Sequence, residues 1–395
     1  MKIQTDLTCD IFSKEYPFLN KQIIENGDFL DSRTGKTLEF LDFKTKLTNP
    51  KYRCVGNNSR DINVFFLIAE ALWIYRGRKD VEFLKIFNTK MKDFSDDGKY
   101  FNAPYGFRMR HFGVNSFENE NVALTEKNQH YFNQIFQGED QVYENLKLLK
   151  NDPNTRRGVM QIWNSEFDLA KNSKDIPCND IVFLKIRNGK LKTKIANRSN
   201  DLHWGLPTNI FQFSFVTEIM AKIIDTDLGT QTHDSDSLHV YTDNPITFKM
   251  YDNFQINNGN FVDLYDNAIP FEMNFNFKNE SIEGRMKELD YHIDKIVNSC
   301  RSMFWLKEKE KEELNDFAPM FLIFYELLKI YVEYKFNSNR SEKDKVNSLK
   351  EVINLSDDYP NYDILSLAQN FFYSKIKDGV SKNPLLHRMI TPNIL

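Results

Sequence analysis

Cys178 and Arg198 are the two residues whose types and spacing most directly indicate chemistry. A thiolate is a strong nucleophile, and a guanidinium binds anions through a rigid fork of N–H donors. Two runs rich in strand-forming residues, 181–187 and 190–196, lie between them. If these runs pair, the thiol and the guanidinium meet at one end of the paired strands.

The link between the two runs is Asn188-Gly189. An Asn-Gly pair between strand-forming runs predicts a two-residue type I′ hairpin turn, because both turn residues take positive φ. Counting outward from that turn places Cys178 opposite Ser199 and next to Arg198. A nucleophile would then lie beside an anion site at the mouth of a sheet.

The composition favours a globular protein that binds small ligands. The chain has 395 residues and 34 Phe, which is ample material for a hydrophobic core. Its formal net charge is −4, so no basic field indicates nucleic acid as the main partner. A small anion remains a possible ligand, because it needs only a local group of arginines.

Several features indicate a cytoplasmic protein without a metal or a membrane span. The four cysteines form no CxxC pair, the seven histidines show no metal-ligand spacing, and residues 1–6 contain no apolar signal segment. The most apolar stretch, 317–336, is interrupted by Glu326, Lys329 and Glu333. That pattern predicts an amphipathic or core helix rather than a membrane span.

Mixed helix and strand patterns run to about residue 290, which indicates an α+β fold class. We predict a helix over 61–75, with Asp61 as its N-cap, and a second helix over 209–224, entered through Pro207. Residues 237–242 are predicted to form a short strand.

Beyond about residue 285 the strand patterns end and long helical patterns follow. The sequence therefore predicts a catalytic domain over 1–285 and a helical C-terminal extension over 286–395. The role of this extension does not follow from its residues.

Four motifs occur together within a resemblance that covers about residues 20 to 285, and their combination is specific. They are Pro177-Cys178, Arg198-Ser199-Asn200-Asp201, Gly205-Leu206-Pro207-Thr208-Asn209 and His239-Val240-Tyr241. In type and order they resemble the thymidylate synthase family, which includes the phage deoxynucleotide hydroxymethylases. The resemblance implies a thymidylate synthase-like α+β fold, in which a large mixed β-sheet is packed with helices.

The resemblance also implies a reaction. The pyrimidine of dUMP is electron-poor at C6 and unreactive at C5, and a thiolate that adds to C6 makes C5 nucleophilic. C5 can then accept a one-carbon unit from 5,10-methylenetetrahydrofolate, a cosubstrate. In this reading Cys178 is the nucleophile and no metal takes part. The alternative structural reading of Cys178 is a buried, inert thiol.

Phosphate ligands carry over by position from the family. The residues implied to bind the nucleotide phosphate are Arg33, Arg156, Arg157, Arg198 and Ser199. In the family the Arg156-Arg157 pair reaches the phosphate of the partner subunit, which implies a homodimer with shared active sites. The alternative structural reading of the Arg-Arg pair is a surface pair that binds carboxylates.

The resemblance assigns the base, the sugar and the folate to other residues. Asn209 is implied to read the pyrimidine edge, because an amide offers a donor and an acceptor together; it could also be a helix N-cap. His239 and Tyr241 are implied to bind the sugar 3′-hydroxyl, or simply to form the polar face of a strand. Asp201 is implied to contact the pterin of the folate.

Two further residues are implied to organise water and proton transfer at the base. They are Glu70, in an otherwise apolar helix, and Tyr105, in Pro104-Tyr105-Gly106. The ordinary structural readings are a solvated edge carboxylate for Glu70 and a core aromatic for Tyr105.

Two departures from the family's synthases bear on the product. Asn179 follows Cys178 where synthases usually carry His, and the segment 91–96 lacks the tryptophans that cover the folate in synthases. A wetter wall favours capture of the exocyclic C5 methylene by water, which gives 5-hydroxymethyl-dUMP. Hydride transfer from tetrahydrofolate would instead give dTMP.

The expected function is therefore deoxyuridylate hydroxymethylation, and thymidylate synthase is the alternative. Family members that act on cytosine nucleotides carry Asp at the position of Asn209, so dCMP is a less favoured substrate. A non-catalytic nucleotide-binding regulator is the reading from another functional class. A phage origin would place the enzyme in the host cytoplasm.

Overall fold

The computed structural model describes residues 5–32, 35–56, 62–114, 138–169, 172–337 and 341–380, with only the backbone described over 377–380. One mixed sheet organises these residues, and its main path runs β1-β3-β8-β6-β5-β4, while β2 pairs with β3 and β7 pairs with β8. The strands are β1 (Asp6–Cys9), β2 (Asp28–Ser32), β3 (Gly35–Leu47), β4 (Gly158–Gln161), β5 (Asn179–Arg187), β6 (Lys190–Asn197), β7 (Asn200–Asp201) and β8 (Asp227–Tyr241).

Helices follow and interrupt these strands, as the α+β prediction requires. They are α1 (Phe12–Asn26), α2 (Val64–Tyr75), α3 (Val81–Phe87), α4 (Tyr105–Arg110), α5 (Gln141–Asn151), α6 (Ser165–Asp168), α7 (Leu206–Ile223), α8 (Pro245–Ile256), α9 (Ile282–Ser302), α10 (Glu308–Phe317), α11 (Pro319–Phe336), α12 (Glu342–Asp357) and α13 (Asp363–Val380), with 3₁₀ turns at Thr89–Phe94 and Leu264–Asp266. The predicted fold class is confirmed.

The two faces of the sheet differ in burial. One register row across five strands is fully buried; it consists of Met160, Val182, Ile195, His233 and Thr45. The adjacent row is exposed or half-buried and consists of Val159, Phe183, Lys194, Thr232 and Lys46. Because side chains alternate between faces along a strand, one face joins the core and the other is open in this chain.

The two helices predicted to carry site residues both form, with different starts. Helix α2 begins at Val64, and its N-cap is Asn63, whose side chain accepts a hydrogen bond from the Phe66 N–H at 3.1 Å. The predicted cap, Asp61, lies outside the described residues. Helix α7 begins at Leu206, earlier than predicted, because Pro207 fits the first turn of a helix, where its missing N–H costs nothing.

The short strand predicted over 237–242 is the end of the much longer β8. The sequence did not predict the rest of β8, because polar residues occupy both faces of this strand. Gln231 and Ser235 are buried on one face, while Asp234 and Asp236 are half-buried and exposed, respectively, on the other. Such a run lacks the alternation of apolar and polar residues that identifies a half-buried strand.

The predicted hairpin forms, with one change of register. Arg187 pairs with Lys190, and the turn residues have φ values of 54° and 69°. A bulge at Asp180 then shifts the pairing, so that Asn179 pairs with Asn197. Consequently Cys178 lies opposite Arg198 and not opposite Ser199, because a bulge sets two residues against one.

The C-terminal helices share the core of the sheet domain. The Phe65 ring of α2 lies 4.7 Å from the Tyr331 ring, 5.3 Å from Phe371 and 5.5 Å from Phe372, measured between ring centroids. Helix α9 runs across the predicted boundary between residues 285 and 286. The division into a catalytic domain and an extension remains a prediction. Within the described ranges, no helix combines the length and apolarity that crossing a membrane requires.

Candidate active site

The thiol of Cys178 lies beside the guanidinium of Arg198. The Arg198 Nη2 atom is 3.7 Å from the Cys178 Sγ atom. The arginine is held there because its Nε donates to the Pro177 carbonyl at 2.7 Å and its Nη2 donates to the Ile176 carbonyl at 3.2 Å. Burial raises the pKa of Cys178, and the positive charge of Arg198 opposes that rise. The guanidinium of Arg198 can therefore stabilise the thiolate form of Cys178.

Tyr105 joins this pair from the start of helix α4. Its hydroxyl oxygen accepts a hydrogen bond from the backbone N–H of Cys178 at 3.4 Å. Burial raises the pKa of Tyr105 well above its usual range, and the nearby Cys178, Asp175 and Glu70 add to the rise. Tyr105 is thus a neutral hydroxyl at physiological pH, close to the nucleophile and to the carboxylate of α2.

Glu70 lies on helix α2 and is held by a neighbour on α7. Its Oε2 atom accepts a hydrogen bond from the Gln212 side-chain amide at 2.8 Å. The side chain is half-buried, yet protein atoms surround the carboxyl group, and this burial raises its pKa to about 7. A carboxyl group that titrates near neutral pH can both accept and donate a proton.

The predicted phosphate ligands fall into two groups. Arg198 is exposed and Ser199 half-buried at the Cys178 end of the hairpin. Arg156 and Arg157 are exposed, and the described residues supply no carboxylate within salt-bridge distance of either guanidinium. Arg33 lies outside the described residues.

Within one chain the structure separates Arg156 and Arg157 from the thiol. They precede Gly158, which pairs with Leu184 on β5. That position is six residues along the strand from Cys178, a distance of roughly 20 Å at strand rise. The two arginines therefore do not complete the site of their own chain.

His239 and Tyr241 occupy one face at the end of β8, as predicted. Their rings meet edge to face with centroids 5.3 Å apart. Burial lowers the pKa of His239, so the imidazole is neutral near pH 7 and offers one donor and one acceptor. Asp201 pairs with His239 through the β7–β8 ladder, which brings the predicted folate contact to the same end of the sheet.

The carboxylate of Asp201 caps the turn that leads into α7. Its Oδ1 atom accepts hydrogen bonds from the backbone N–H groups of His203 and Trp204, both at 2.5 Å. The indole of Trp204 is 61% exposed, an unusual state for a tryptophan. An acceptor and an exposed aromatic ring therefore stand next to each other.

Asn209 is buried at the start of α7 and is bonded through both ends of its amide. Its Oδ1 atom accepts from the side chain of Asn179 at 3.0 Å, and its Nδ2 atom donates to Asn200 at 3.2 Å. The alternative reading of Asn209 as an N-cap is wrong, because α7 begins at Leu206 and Asn209 lies inside it.

Sequence reasoning missed Asp175, which joins the nucleophile loop to the loop before α4. Its Oδ2 atom accepts from the Ala103 N–H at 2.7 Å, and its backbone carbonyl accepts from the Asn102 side chain at 3.0 Å. Burial raises the pKa of Asp175 to about 6. No motif marks this aspartate, since its contacts arise only in the folded chain.

The segment without tryptophans is the 3₁₀ turn Thr89–Phe94 and the residues after it. None of the residues of this turn is buried, and Phe94 is 53% exposed. Asp96 ties the segment to the loop before Cys178, because it accepts from the Ser173 hydroxyl at 2.6 Å and from the Lys174 N–H at 3.0 Å. An exposed segment thus adjoins the nucleophile loop.

A nucleophilic thiol, a guanidinium, a neutral hydroxyl and a carboxyl group of near-neutral pKa therefore lie together near the Cys178 end of the hairpin, and the buried amide of Asn209 is joined to the same strand through Asn179. This set can add a thiolate to an electrophilic ring and move protons around it. A family model described as thymidylate synthase matches residues 14–318, and the chain belongs to the thymidylate synthase family.

The similar proteins include both kinds of enzyme in this family. The chain is 43% identical over 241 residues to the deoxyuridylate hydroxymethyltransferase of Bacillus phage SP01, a match that covers 60% of this chain and 57% of that protein. It is 33% identical over 223 residues to the protein of the same name from Pseudomonas phage M6, covering 56% and 57%. It is 26% identical over 235 residues to the thymidylate synthase of Ascaris suum, covering 56% and 76%. The chain thus spans a little over half the length of the phage relatives.

Proposed function

We propose that this chain transfers a one-carbon unit from 5,10-methylenetetrahydrofolate to C5 of dUMP, and that water completes the reaction to give 5-hydroxymethyl-dUMP. The observation that carries the proposal is the Cys178 thiol, 3.7 Å from the Arg198 guanidinium, with Tyr105 bonded to the same loop. The names of the phage relatives, which are deoxyuridylate hydroxymethyltransferases, support the same reading.

In the proposed reaction the nucleotide phosphate binds at Arg198 and Ser199, joined by Arg33. The phosphate replaces solvent around Arg198, and the thiol of Cys178 loses its proton and adds to C6 of the pyrimidine. His239 and Tyr241 hold the sugar hydroxyl, and the amide of Asn209 contacts the base edge. Glu70, through bound water, and Tyr105 handle the protons that leave and reach the ring.

Methylenetetrahydrofolate supplies the one-carbon unit at C5, and C5 loses its proton as tetrahydrofolate leaves. Water then adds to the exocyclic methylene while the thiolate of Cys178 leaves C6. The residues present suit the pterin of the folate, because Asp201 is an acceptor for N–H groups and Trp204, which is 61% exposed, offers an aromatic face. Phe94, 53% exposed, provides a second ring near the nucleophile loop. This wall leaves water access to the exocyclic methylene, which is the reason we favour water capture over hydride transfer.

We further propose a homodimer in which the open face of the sheet is the interface. The row of exposed and half-buried residues that contains Val159 and Phe183 is partly apolar, and such a face is normally covered in a stable protein. In an isologous dimer Arg156 and Arg157 can reach the phosphate site of the partner. The phage names also favour the host cytoplasm as the location of the reaction.

Release of tritium from dUMP labelled at C5 tests whether the chain is an enzyme. We expect release that depends on methylenetetrahydrofolate, and none from Cys178→Ala. A wild-type protein that binds dUMP and releases no tritium would instead be the non-catalytic regulator. Running dCMP beside dUMP tests the substrate, since the amide of Asn209 is assigned to uracil.

A further inference from the structure

Five buried polar side chains form a continuous hydrogen-bonded ladder behind the candidate base site. In order they are Asn197, Asn179, Asn209, Asn200 and Ser235. Five separate elements supply them, namely β6, β5, α7, β7 and β8. A chain of amides drawn from so many elements fixes the position of its central member, Asn209, from both sides.

The ladder has one polarity throughout. Asn197 donates to the Oδ1 atom of Asn179, and Asn179 donates to that of Asn209 at 3.0 Å. Asn209 donates to Asn200 at 3.2 Å, and Asn200 donates to the Ser235 hydroxyl at 3.1 Å. Turning one amide alone would set donor against donor on one side and acceptor against acceptor on the other. Asn209 can therefore reverse only if its neighbours reverse with it.

Asn209 is the least buried member of the ladder. It is 8% exposed, whereas Asn197 is 2%, Asn200 is 1% and Asn179 and Ser235 are 0% exposed. A primary amide carries two N–H groups and two oxygen lone pairs. The ladder uses one of each on Asn209, so one N–H and one lone pair are left for a ligand.

The pyrimidine that fits depends on which side of the Asn209 amide carries the remaining N–H and which side carries the remaining lone pair. Uracil offers an acceptor at O4 and a donor at N3–H, whereas cytosine offers a donor at its amino group and an acceptor at N3. The two bases therefore need opposite orientations of one amide. We infer that Asn179 is a positioning residue that sets selectivity for uracil over cytosine, because it holds the oxygen of Asn209 in a fixed place; this inference rests on the proposed function.

The two sides of Asn209 are not equivalent. On one side the ladder ends at the hydroxyl of Ser235, which can accept or donate and so satisfies Asn200 in either polarity. Asn179 faces Asn209 with an N–H donor, and an acceptor at that position would favour the reversed amide. Asn179→Asp introduces such an acceptor, and Asn179→Leu removes the donor with little change of shape.

The test is the ratio of dissociation constants for dUMP and dCMP, measured by calorimetry at pH 8 without folate. The ratio compares two ligands on one protein sample, so partial loss of folded protein does not affect it. For Asn179→Asp we expect the preference for dUMP to fall by at least about tenfold, since a mismatched buried hydrogen bond costs that much. Asn179→Leu should lower the preference in the same direction.

Ser235→Ala is the matched control within the ladder. It removes a group that serves both polarities, so the ratio should stay within about threefold of the wild-type ratio even if both nucleotides bind more weakly. Equal weakening of dUMP and dCMP by both substitutions of Asn179 would overturn the inference alone. A wild-type protein that binds neither nucleotide would overturn the proposed function, and the inference with it.

Discussion

At the scale of single residues, burial and a neighbouring charge set the reactivity of Cys178. Burial raises the pKa of this thiol and Arg198 opposes the rise. The other described cysteines differ, because burial raises the pKa of Cys9 and of Cys300 to about 12 and that of Cys54 well above its usual value. Cys178, beside the cation of Arg198, should therefore be the cysteine that reacts first with an alkylating reagent.

Arg198→Gln should move the alkylation of Cys178 by iodoacetamide to higher pH, by about one unit. A cation within about 4–6 Å of an acidic group lowers its pKa by roughly that amount or more, and the substitution removes the cation. The measurement is the alkylation rate against pH, with Cys178→Ala as the blank. Arg187→Gln, on the same hairpin, is the matched control, and an identical midpoint for the wild-type protein and Arg198→Gln would contradict the account.

Glu70→Gln should change how stability depends on pH. The pKa of Glu70 rises from 4.5 to about 7 in the folded chain, so its contribution to stability is complete below pH 4.5 and is lost as the pH rises through 7. A glutamine at this position does not titrate, so it causes no such loss of stability. Between these pH values the free energy of unfolding of the variant should therefore increase relative to that of the wild type by up to roughly 3 kcal/mol.

Urea unfolding of both proteins at several pH values measures this gain. Other buried carboxyl groups, such as Asp175 with its pKa of about 6, contribute equally to both proteins and cancel in the difference. A difference in unfolding free energy that stays constant from pH 4.5 to pH 8 would show that Glu70 titrates as an ordinary surface carboxylate.

The sequence predicted the nucleophile and its arginine but not the details of their pairing. Asn179 and Asp180 precede the strand-forming run 181–187, and their types do not show which residue forms the bulge that sets Cys178 opposite Arg198. The hydrogen bonds of the amide ladder could not be predicted either, although the sequence indicated a role for Asn209 and an unusual residue at Asn179. Their hydrogen bonds join elements far apart in sequence, and only the folded chain brings these amides within 3.0 Å.

At the scale of elements, the close contact of α4 with α2 sets the spacing between Tyr105 and Glu70. Gly106 makes that contact possible, because a Cβ atom added there would lie 1.9 Å from the Ile74 carbonyl oxygen. The obstacle is backbone, which cannot rotate away. Any larger residue must push the two helices apart.

Gly106→Ala should therefore destabilise the protein by about 3 kcal/mol, at the upper end of overpacking costs, and should lower turnover more than nucleotide affinity. Chemical denaturation and steady-state kinetics provide the two readouts. Gly189→Ala is the comparison: its Cβ would meet nothing within 4 Å, and only the φ of 69° opposes it, at about 1 kcal/mol. Equal losses for the two variants would refute the assigned role of the α2–α4 contact.

The C-terminal helices were predicted as helices, but their place against α2 was not. Tyr331 of α11 donates to the Phe87 carbonyl at 3.0 Å, and its ring stacks on Phe65 of the helix that carries Glu70. An apolar helix pattern identifies a buried stripe without naming the partner of that stripe. The extension therefore supports an element of the candidate site from behind.

At the scale of the whole molecule, one chain does not bring all the predicted phosphate ligands together. Arg156 and Arg157 lie roughly 20 Å along the sheet from Cys178, at strand rise. The open sheet face offers a second copy a surface on which to bind. A homodimer with exchanged arginines accounts for both observations.

Mixing two inactive variants tests this arrangement. If Cys178→Ala and Arg156→Ala/Arg157→Ala are unfolded and refolded together in equal amounts, half of the dimers are mixed and each contains one intact site. We expect recovery of about a quarter of the wild-type activity. Each variant refolded alone is the control, and a mixture no more active than the controls would contradict shared sites.

The central claim is that water, not hydride, completes the reaction at C5 of dUMP. The most direct measurement is mass spectrometry of the product formed from dUMP and methylenetetrahydrofolate in water enriched in ¹⁸O, with the folate product identified in the same sample. The account predicts hydroxymethyl-dUMP that carries ¹⁸O in its new hydroxyl group, together with tetrahydrofolate. A methylated nucleotide without the label, together with dihydrofolate, would contradict it.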